Sequence, residues 1–268
     1  MRIGPNGACA MADDRRDRSL SLASRRDGGP ERGSRGVLGP VVRDSLQERV
    51  YRELRGSLIH GVFDAGEILR IQDLADTLQT STMPVREALA RLVSEQALEA
   101  LPSRSVRVPI ITRERLDDLA RARVLVEGEL VRLAIGRLTP ADFARIRELT
   151  RACEAAFGGT APDKAQATSE LNHAFHFAIY GAAGSAVLLP IVESLWLQSG
   201  PYVRVAARVY QDNPEFSAVH HHWELIEALE RGDATAALAA LTDDITQSFN
   251  LIRGRLDAEA SARKAANG

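Results

Sequence analysis

Asn172 and His176 stand four residues apart, and further along the chain His222 and Asp244 each fall on a stripe of apolar side chains. Residues four apart share one face of a helix, and here that face also carries Phe175 and Ile179, so both polar groups point inward. In His220-His221-His222 the side chains fan out around a helix, and only His222 lines up with Val219, Ile226 and Leu229. Asp244 shares its stripe with Leu241, Ile245 and Ser248, whereas its neighbour Asp243 points elsewhere. A carboxylate on such a stripe must be paired, protonated or bound to a cation, because an isolated buried charge is very costly. Two imidazoles, a carboxylate and an amide oxygen would suit a divalent transition metal such as zinc, nickel or manganese, with positions left for water or a ligand. On spacing alone the plainer account comes first: two core histidines, with Asp244 paired to an arginine such as Arg123, since buried polar groups are usually satisfied within the protein.

The elements that must position these residues are helices. From Thr112 onward the pattern is helical throughout. A long first helix reaches about Leu138, and Thr139-Pro140 opens a second that runs to Phe157. After the loop 158–162, a third spans about Asp163 to Ala183, ended by Gly181 and Gly184. A fourth runs from near Ser185 to about Tyr210, with kinks expected at Pro190 and Gly200-Pro201. Asn213-Pro214 opens a fifth and Asp233 caps a sixth that ends near Ala258. No strand pattern and no repeat of solenoid length interrupts them, so 111–258 reads as a helical bundle, followed by a disordered tail at 259–268.

Upstream, the stretch from Leu74 to Leu92 reads as a helix, a tight turn and a second helix. Thr80, Ser81 and Thr82 offer capping hydroxyls, Pro84 sits in the first turn, and Val85, Ala88, Leu89 and Leu92 form the buried stripe. Thr82, Met83, Arg86 and Glu87 are left near the exposed start, the arrangement that a DNA major groove accepts. A further amphipathic segment, 44–60, precedes this pair. Two short β-capable runs around Pro102-Ser103-Arg104-Ser105 follow it, with Arg104 at the tip and Arg107 beside it. Together, 44–110 reads as a winged helix-turn-helix of three helices and a small β-hairpin. The fold class is therefore mostly α.

These residues carry a resemblance. Gly61-Val-Phe-Asp-Ala-Gly66, Leu74-Ala75, Pro84-Val-Arg-Glu-Ala-Leu89 and Arg91-Leu92 resemble the DNA-binding domain of the GntR family of bacterial transcription regulators, in its FadR-like branch. The resemblance implies DNA contacts from Ser81, Arg86 and Arg104. Thr82 stands where many members carry a base-reading arginine, and Ser105 where a wing glycine is usual. Residues from about Leu116 to Leu251 resemble the FCD domain, the helical effector-binding domain of that branch. The resemblance rests on Arg121-Ala-Arg-Val-Leu-Val-Glu127, Asn172-His-Ala-Phe-His176 and His222-Trp-Glu-Leu-Ile-Glu-Ala-Leu229. It implies a metal held at the positions of Asn172, His176, His222 and Asp244, completed by a small carboxylate effector. Asp244 replaces the usual histidine and Asn172 the common aspartate. Arg123, with Arg121, is the candidate to grip the effector carboxylate, since a guanidinium can hold both oxygens.

Composition and charge set the remaining bounds. A chain of 268 residues with 45% hydrophobic and 26% charged content is that of a soluble globular protein. The net charge of -2 excludes nucleic-acid binding by the whole surface while leaving room for a local basic patch. The two cysteines, Cys9 and Cys153, make no metal or disulfide spacing, which fits a reducing cytoplasm. Residues 1–43 read as a disordered basic extension, without the apolar run of a secretory signal, and no stretch is long and apolar enough to span a membrane.

The metal helix lacks the glutamate of a His-Glu-x-x-His enzyme, and no phosphate loop or Gly-x-Ser-x-Gly elbow occurs, so no catalytic residues are assigned. The expectation is a ligand-responsive regulator, not an enzyme. It binds a palindromic double-stranded operator as a homodimer and answers to a small organic-acid or sugar-acid effector. A metal-dependent hydrolase or a helical protein-interaction module carrying a winged helix are the alternatives. Spacing does not choose between repressor and activator.

Overall fold

The computed structural model describes residues 46–102, 105–160, 164–212 and 219–266; the expected basic extension and Arg104 lie outside them. The chain runs α1 (Leu46–Ile59), β1 (Ile68–Leu69), α2 (Ile71–Thr77), α3 (Thr82–Ser94), β2 (Glu99–Ala100) and β3 (Val106–Arg107) in its first part. Then follow α4 (Arg113–Ala134), α5 (Pro140–Gly158), α6 (Lys164–Ala182), α7 (Leu188–Asp212), α8 (His220–Arg231) and α9 (Ala234–Ala266). The architecture is mostly α, a winged helix followed by a helical domain. No helix of the described residues is long and apolar enough to cross a membrane.

In the winged helix, the stripe predicted for α3 is buried: Val85, Ala88, Leu89 and Leu92 pack with Val50, Leu54 and Leu58 of α1. The turn between α2 and α3 places Gln79 at φ 51, a left-handed conformation that an L side chain adopts only at some cost. The expected hairpin, β2 with β3, gains a third member. β1 pairs antiparallel with β3, Ile68 opposite Arg107 and Leu69 opposite Val106, giving the order β1-β3-β2. A two-residue strand has too few side chains to show a period, so the sequence pattern could not mark it.

The helical domain matches its caps. Thr139 and Asp142 form a reciprocal capping box at the head of α5, and Gly232 ends α8 at φ 67. Three expectations change. Pro190 falls in the first turn of α7, where a missing N–H is harmless, so the interior proline is Pro201. Gly181 is accommodated within α6. Helix α9 continues through Ala266, where a disordered tail was expected from 259; this stretch is rich in alanine, the best helix former.

The two parts are joined by α7. Its Leu197 is buried within the winged-helix core. At Gly200 the backbone approaches α1 so closely that a Cβ would lie 1.8 Å from the Leu58 carbonyl oxygen. Arg55 of α1 pairs with Glu193 of α7 at 3.3 Å. His60, at the end of α1, meets His173 of α6 edge to face at 5.7 Å.

Candidate functional site

Helices α6, α8 and α9 bring His176, His222 and Asp244 together, their potential ligand atoms all within 4.8 Å of one another. His176 and His222 are fully buried. The Nε2 atom of His176 lies 3.2 Å from Asp244 Oδ2, and Nε2 of His222 lies 3.7 Å from Oδ1. Neither pair meets hydrogen-bond geometry, and both imidazole Nε2 atoms lack a hydrogen-bond partner among the described residues.

A chain of polar contacts behind His176 fixes which of its nitrogens carries the proton. Arg123 donates to Glu127 through Nε at 2.6 Å and Nη2 at 3.3 Å. The Tyr180 hydroxyl donates its single proton to Glu127 Oε2 at 2.5 Å. With that proton committed to a carboxylate, the phenol oxygen accepts from His176 Nδ1, 3.1 Å away. With Nδ1 engaged in this way, Nε2 is the nitrogen that faces the carboxylate of Asp244, and in the neutral ring it is the one free to ligate a cation.

The charge states agree with such an occupant. Burial drives the His222 imidazole down to about 3, so it is neutral at ordinary pH. Burial alone would raise Asp244, but its contact with His176 and the nearby Arg123 guanidinium outweigh it and hold the carboxyl at about 2. Neutral imidazoles and an ionised carboxylate are the forms that ligate a metal. A divalent transition metal therefore fits this donor set.

The other predicted residues are distributed as follows. Asn172 and Arg123 line the same cavity of about 390 Å³ as Asp244. Arg123 is buried and lies over the Trp196 ring, 4.3 Å from its centroid. Its partner is Glu127, not Asp244, which corrects the plainer sequence account. Arg121 points to solvent and pairs with Asp118 at 3.6 Å, away from the cavity. Glu127 and Tyr180 were not singled out from the sequence. The available signal was spacing, since each stands four residues after a predicted site residue, Arg123 and His176.

In the winged helix, Ser81 is the N-cap of α3 but makes no capping hydrogen bond, and its hydroxyl is exposed. Thr82 opens the helix half-buried, and Arg86 is exposed and makes no ion pair among the described residues. Arg91 serves α1 instead, lying over Tyr51 and bonding Glu48 and Glu95. Arg107 is held by Glu99 at 2.6 Å.

Comparison with known proteins agrees on both parts. Residues 46–108 match the profile of bacterial regulatory proteins, gntR family, and residues 118–247 match the FCD domain. The chain is 28% identical over 214 residues to the HTH-type transcriptional regulator McbR of Escherichia coli K12, covering 80% of this chain and 96% of that one. To the HTH-type transcriptional repressor GlaR of the same organism it is 34% identical over 153 residues, covering 54% and 67%. The solved structure of E. coli McbR/YncC superposes with a TM-score of 0.73 at 29% identity, covering 79% of this chain and 99% of that one.

Proposed function

The chain belongs to the GntR family of bacterial regulatory proteins, with an FCD domain, and is a regulator, not an enzyme; from that premise we propose that it is a metal-assisted carboxylate sensor controlling an operator. The winged helix binds a palindromic duplex as a homodimer, because two recognition helices must reach successive major grooves on one side of the DNA. Ser81, Thr82 and Arg86 at the exposed start of α3 contact the groove, and Arg104 of the wing adds a backbone or minor-groove contact. Thr82 in place of an arginine removes a bidentate reader of guanine, so the operator differs from that of members that keep it.

His176, His222 and Asp244 hold the metal, and Asn172 supplies an amide oxygen beside them. A bound divalent cation would supply an electrophilic site for an effector carboxylate. The observation that carries this reading is the Arg123–Glu127–Tyr180–His176 chain, which holds His176 through Nδ1 and leaves its Nε2 facing Asp244 beside His222. Arg123, with two of its nitrogens already engaged by Glu127, offers its remaining edge to the effector.

Helix α7 is the element through which the cavity reaches the DNA-binding part. Trp196, Ser199 and Tyr202 line the cavity, while Leu197 and Gly200 seat in the winged helix. An effector can shift the placement of the winged helices only by as much as it binds one arrangement better than another.

The test is metal analysis of protein purified without chelator or a metal-affinity tag, in parallel with footprinting of DNA fragments the protein selects. About one metal per chain is expected, lost in His222→Ala while the footprint persists. A chain that stays metal-free after incubation with zinc, nickel and manganese would remove the metal from the reading. Failure to select any DNA would remove the operator.

A further inference from the structure

The cavity beside the proposed metal group is far from uniform, and its lining says what kind of acid it takes. Asn172, Arg123 and Asp244 contribute polar atoms, and Lys164, Thr168 and Ser169 also line the cavity. Trp196 lies next to them, 5.3 Å from the His176 ring and under the Arg123 guanidinium, and its indole N–H is buried with no hydrogen-bond partner among the described residues. Much of the remaining lining is aromatic: Tyr202 stacks on Phe249 at 5.8 Å, and Phe157 meets Tyr210 edge to face at 5.8 Å.

Hydroxyl groups also line the cavity; the buried Tyr202 hydroxyl has no hydrogen-bond partner among the described residues, whereas others are engaged. Ser199 Oγ donates to the Leu195 carbonyl at 2.8 Å. The Tyr210 hydroxyl is bonded to Ser248 at 3.0 Å and accepts from Gln247 at 3.3 Å. A polyhydroxylated ligand would exchange water for these engaged groups and set several of its hydroxyls against aromatic walls, at a desolvation cost. A two- or three-carbon acid would leave the aromatic part empty, and the cavity of about 390 Å³ is in the range of sites for larger ligands.

We propose that the effector is an arylalkyl or aryl carboxylate, its carboxylate at the Asp244 and Trp196 end and its ring among Tyr202, Phe249, Phe157 and Tyr210. Flat rings pack in offset or edge-on contact with such walls, and the lone indole N–H supplies a donor for one carboxylate oxygen. The assignment rests on the carboxylate-sensor reading above and narrows it: the aromatic walls favour a ring over the sugar acids that the sequence left open.

Isothermal titration of the full-length, zinc-loaded chain with phenylacetate, gluconate and benzyl alcohol tests it. Phenylacetate is expected to bind at least about tenfold tighter than either of the others, the scale on which a polar-lined or apolar pocket separates such pairs. Gluconate binding as well as phenylacetate would overturn the aromatic assignment and leave the carboxylate reading standing. Benzyl alcohol binding as well as phenylacetate would overturn the carboxylate reading and the assignment with it, as would no binding by any of the three. Ala206→Trp, which fills the cavity away from the polar groups, should abolish phenylacetate binding while zinc content stays at the wild-type level. Undiminished phenylacetate binding in that variant would place the ligand elsewhere. Trp196→Phe, which keeps the bulk and removes the N–H, should weaken phenylacetate more than benzyl alcohol; an equal effect on both would take the indole out of the assignment.

Discussion

The polar residues of the winged helix and those of the helical domain are organised in opposite ways. At the start of α3, Ser81 and Arg86 are exposed, Ser81 makes no capping hydrogen bond, and Arg86 makes no ion pair among the described residues. In the helical domain, His176, Glu127 and Tyr180 are each buried and each held by the next. A surface that must adapt to a duplex can leave its side chains free until DNA orders them. A site that holds a metal, as proposed for His176, His222 and Asp244, cannot, because a ring in the other tautomer would present a proton to the cation instead of a lone pair. The difference teaches where rigidity is needed: ahead of binding in the sensor, at binding in the reader.

That contrast can be broken first at Glu127. Glu127→Ala leaves the buried Arg123 without a counter-charge and Tyr180 without its acceptor, so stability should fall by about 3–5 kcal/mol in urea unfolding. A loss below about 1 kcal/mol, the range of exposed pairs, would mean that the chain of contacts is not tightly held. Tyr180→Phe is milder: it removes the acceptor at Nδ1 and should lower zinc affinity by about 10–100-fold with little change in operator binding. Equal affinity in a chelator competition would dissolve the tautomer argument. Arg86→Ala should weaken operator binding by about 1–3 kcal/mol at fixed salt with the unfolding midpoint unchanged. If stability fell as well, the reader would be less free than its exposure indicates.

The smallest effect belongs to the junction. Burial lowers the His60 imidazole below the ordinary histidine value, with Glu170 offsetting part of the shift, and its Nδ1 has no hydrogen-bond partner among the described residues. A base whose folded value is depressed binds fewer protons than the unfolded chain does below the ordinary histidine range. Its contribution is therefore complete above about pH 6.5 and declines as pH falls towards the lowered value. His60→Gln should flatten the slope of stability between pH 7 and 5; an unchanged slope would locate the dependence elsewhere.

Much of this was legible in the sequence because it is periodic. The stripes of α3, α6, α8 and α9 placed Val85, His176, His222 and Asp244 facing inward, and all four side chains do so. The convergence of His222 with His176 came from the resemblance and not from spacing, which favoured two separate core histidines. The sequence did not disclose that Arg123 turns to Glu127, since a guanidinium on an inward face has several carboxylates within reach until the helices are packed. Nor did it disclose Tyr180, whose role exists only because Glu127 arrives from another helix. The strand β1 and the last turns of α9 escaped for a simpler reason: one is too short to have a period, and the other is alanine-rich with no apolar stripe to read.

Gly200 gives the molecule a genetic signature. The position holds no chemistry and touches neither DNA nor the cavity's polar end, yet a single methyl group there would collide with the Leu58 backbone and pry α7 from α1. Among mutants selected for indifference to the proposed effector, substitutions at this codon should recur beside those at the cavity itself, and Gly200→Ala protein should take up metal and occupy its operator as the wild type does. Inheritance of the signal, as distinct from its detection or its execution, would then map to one hydrogen atom.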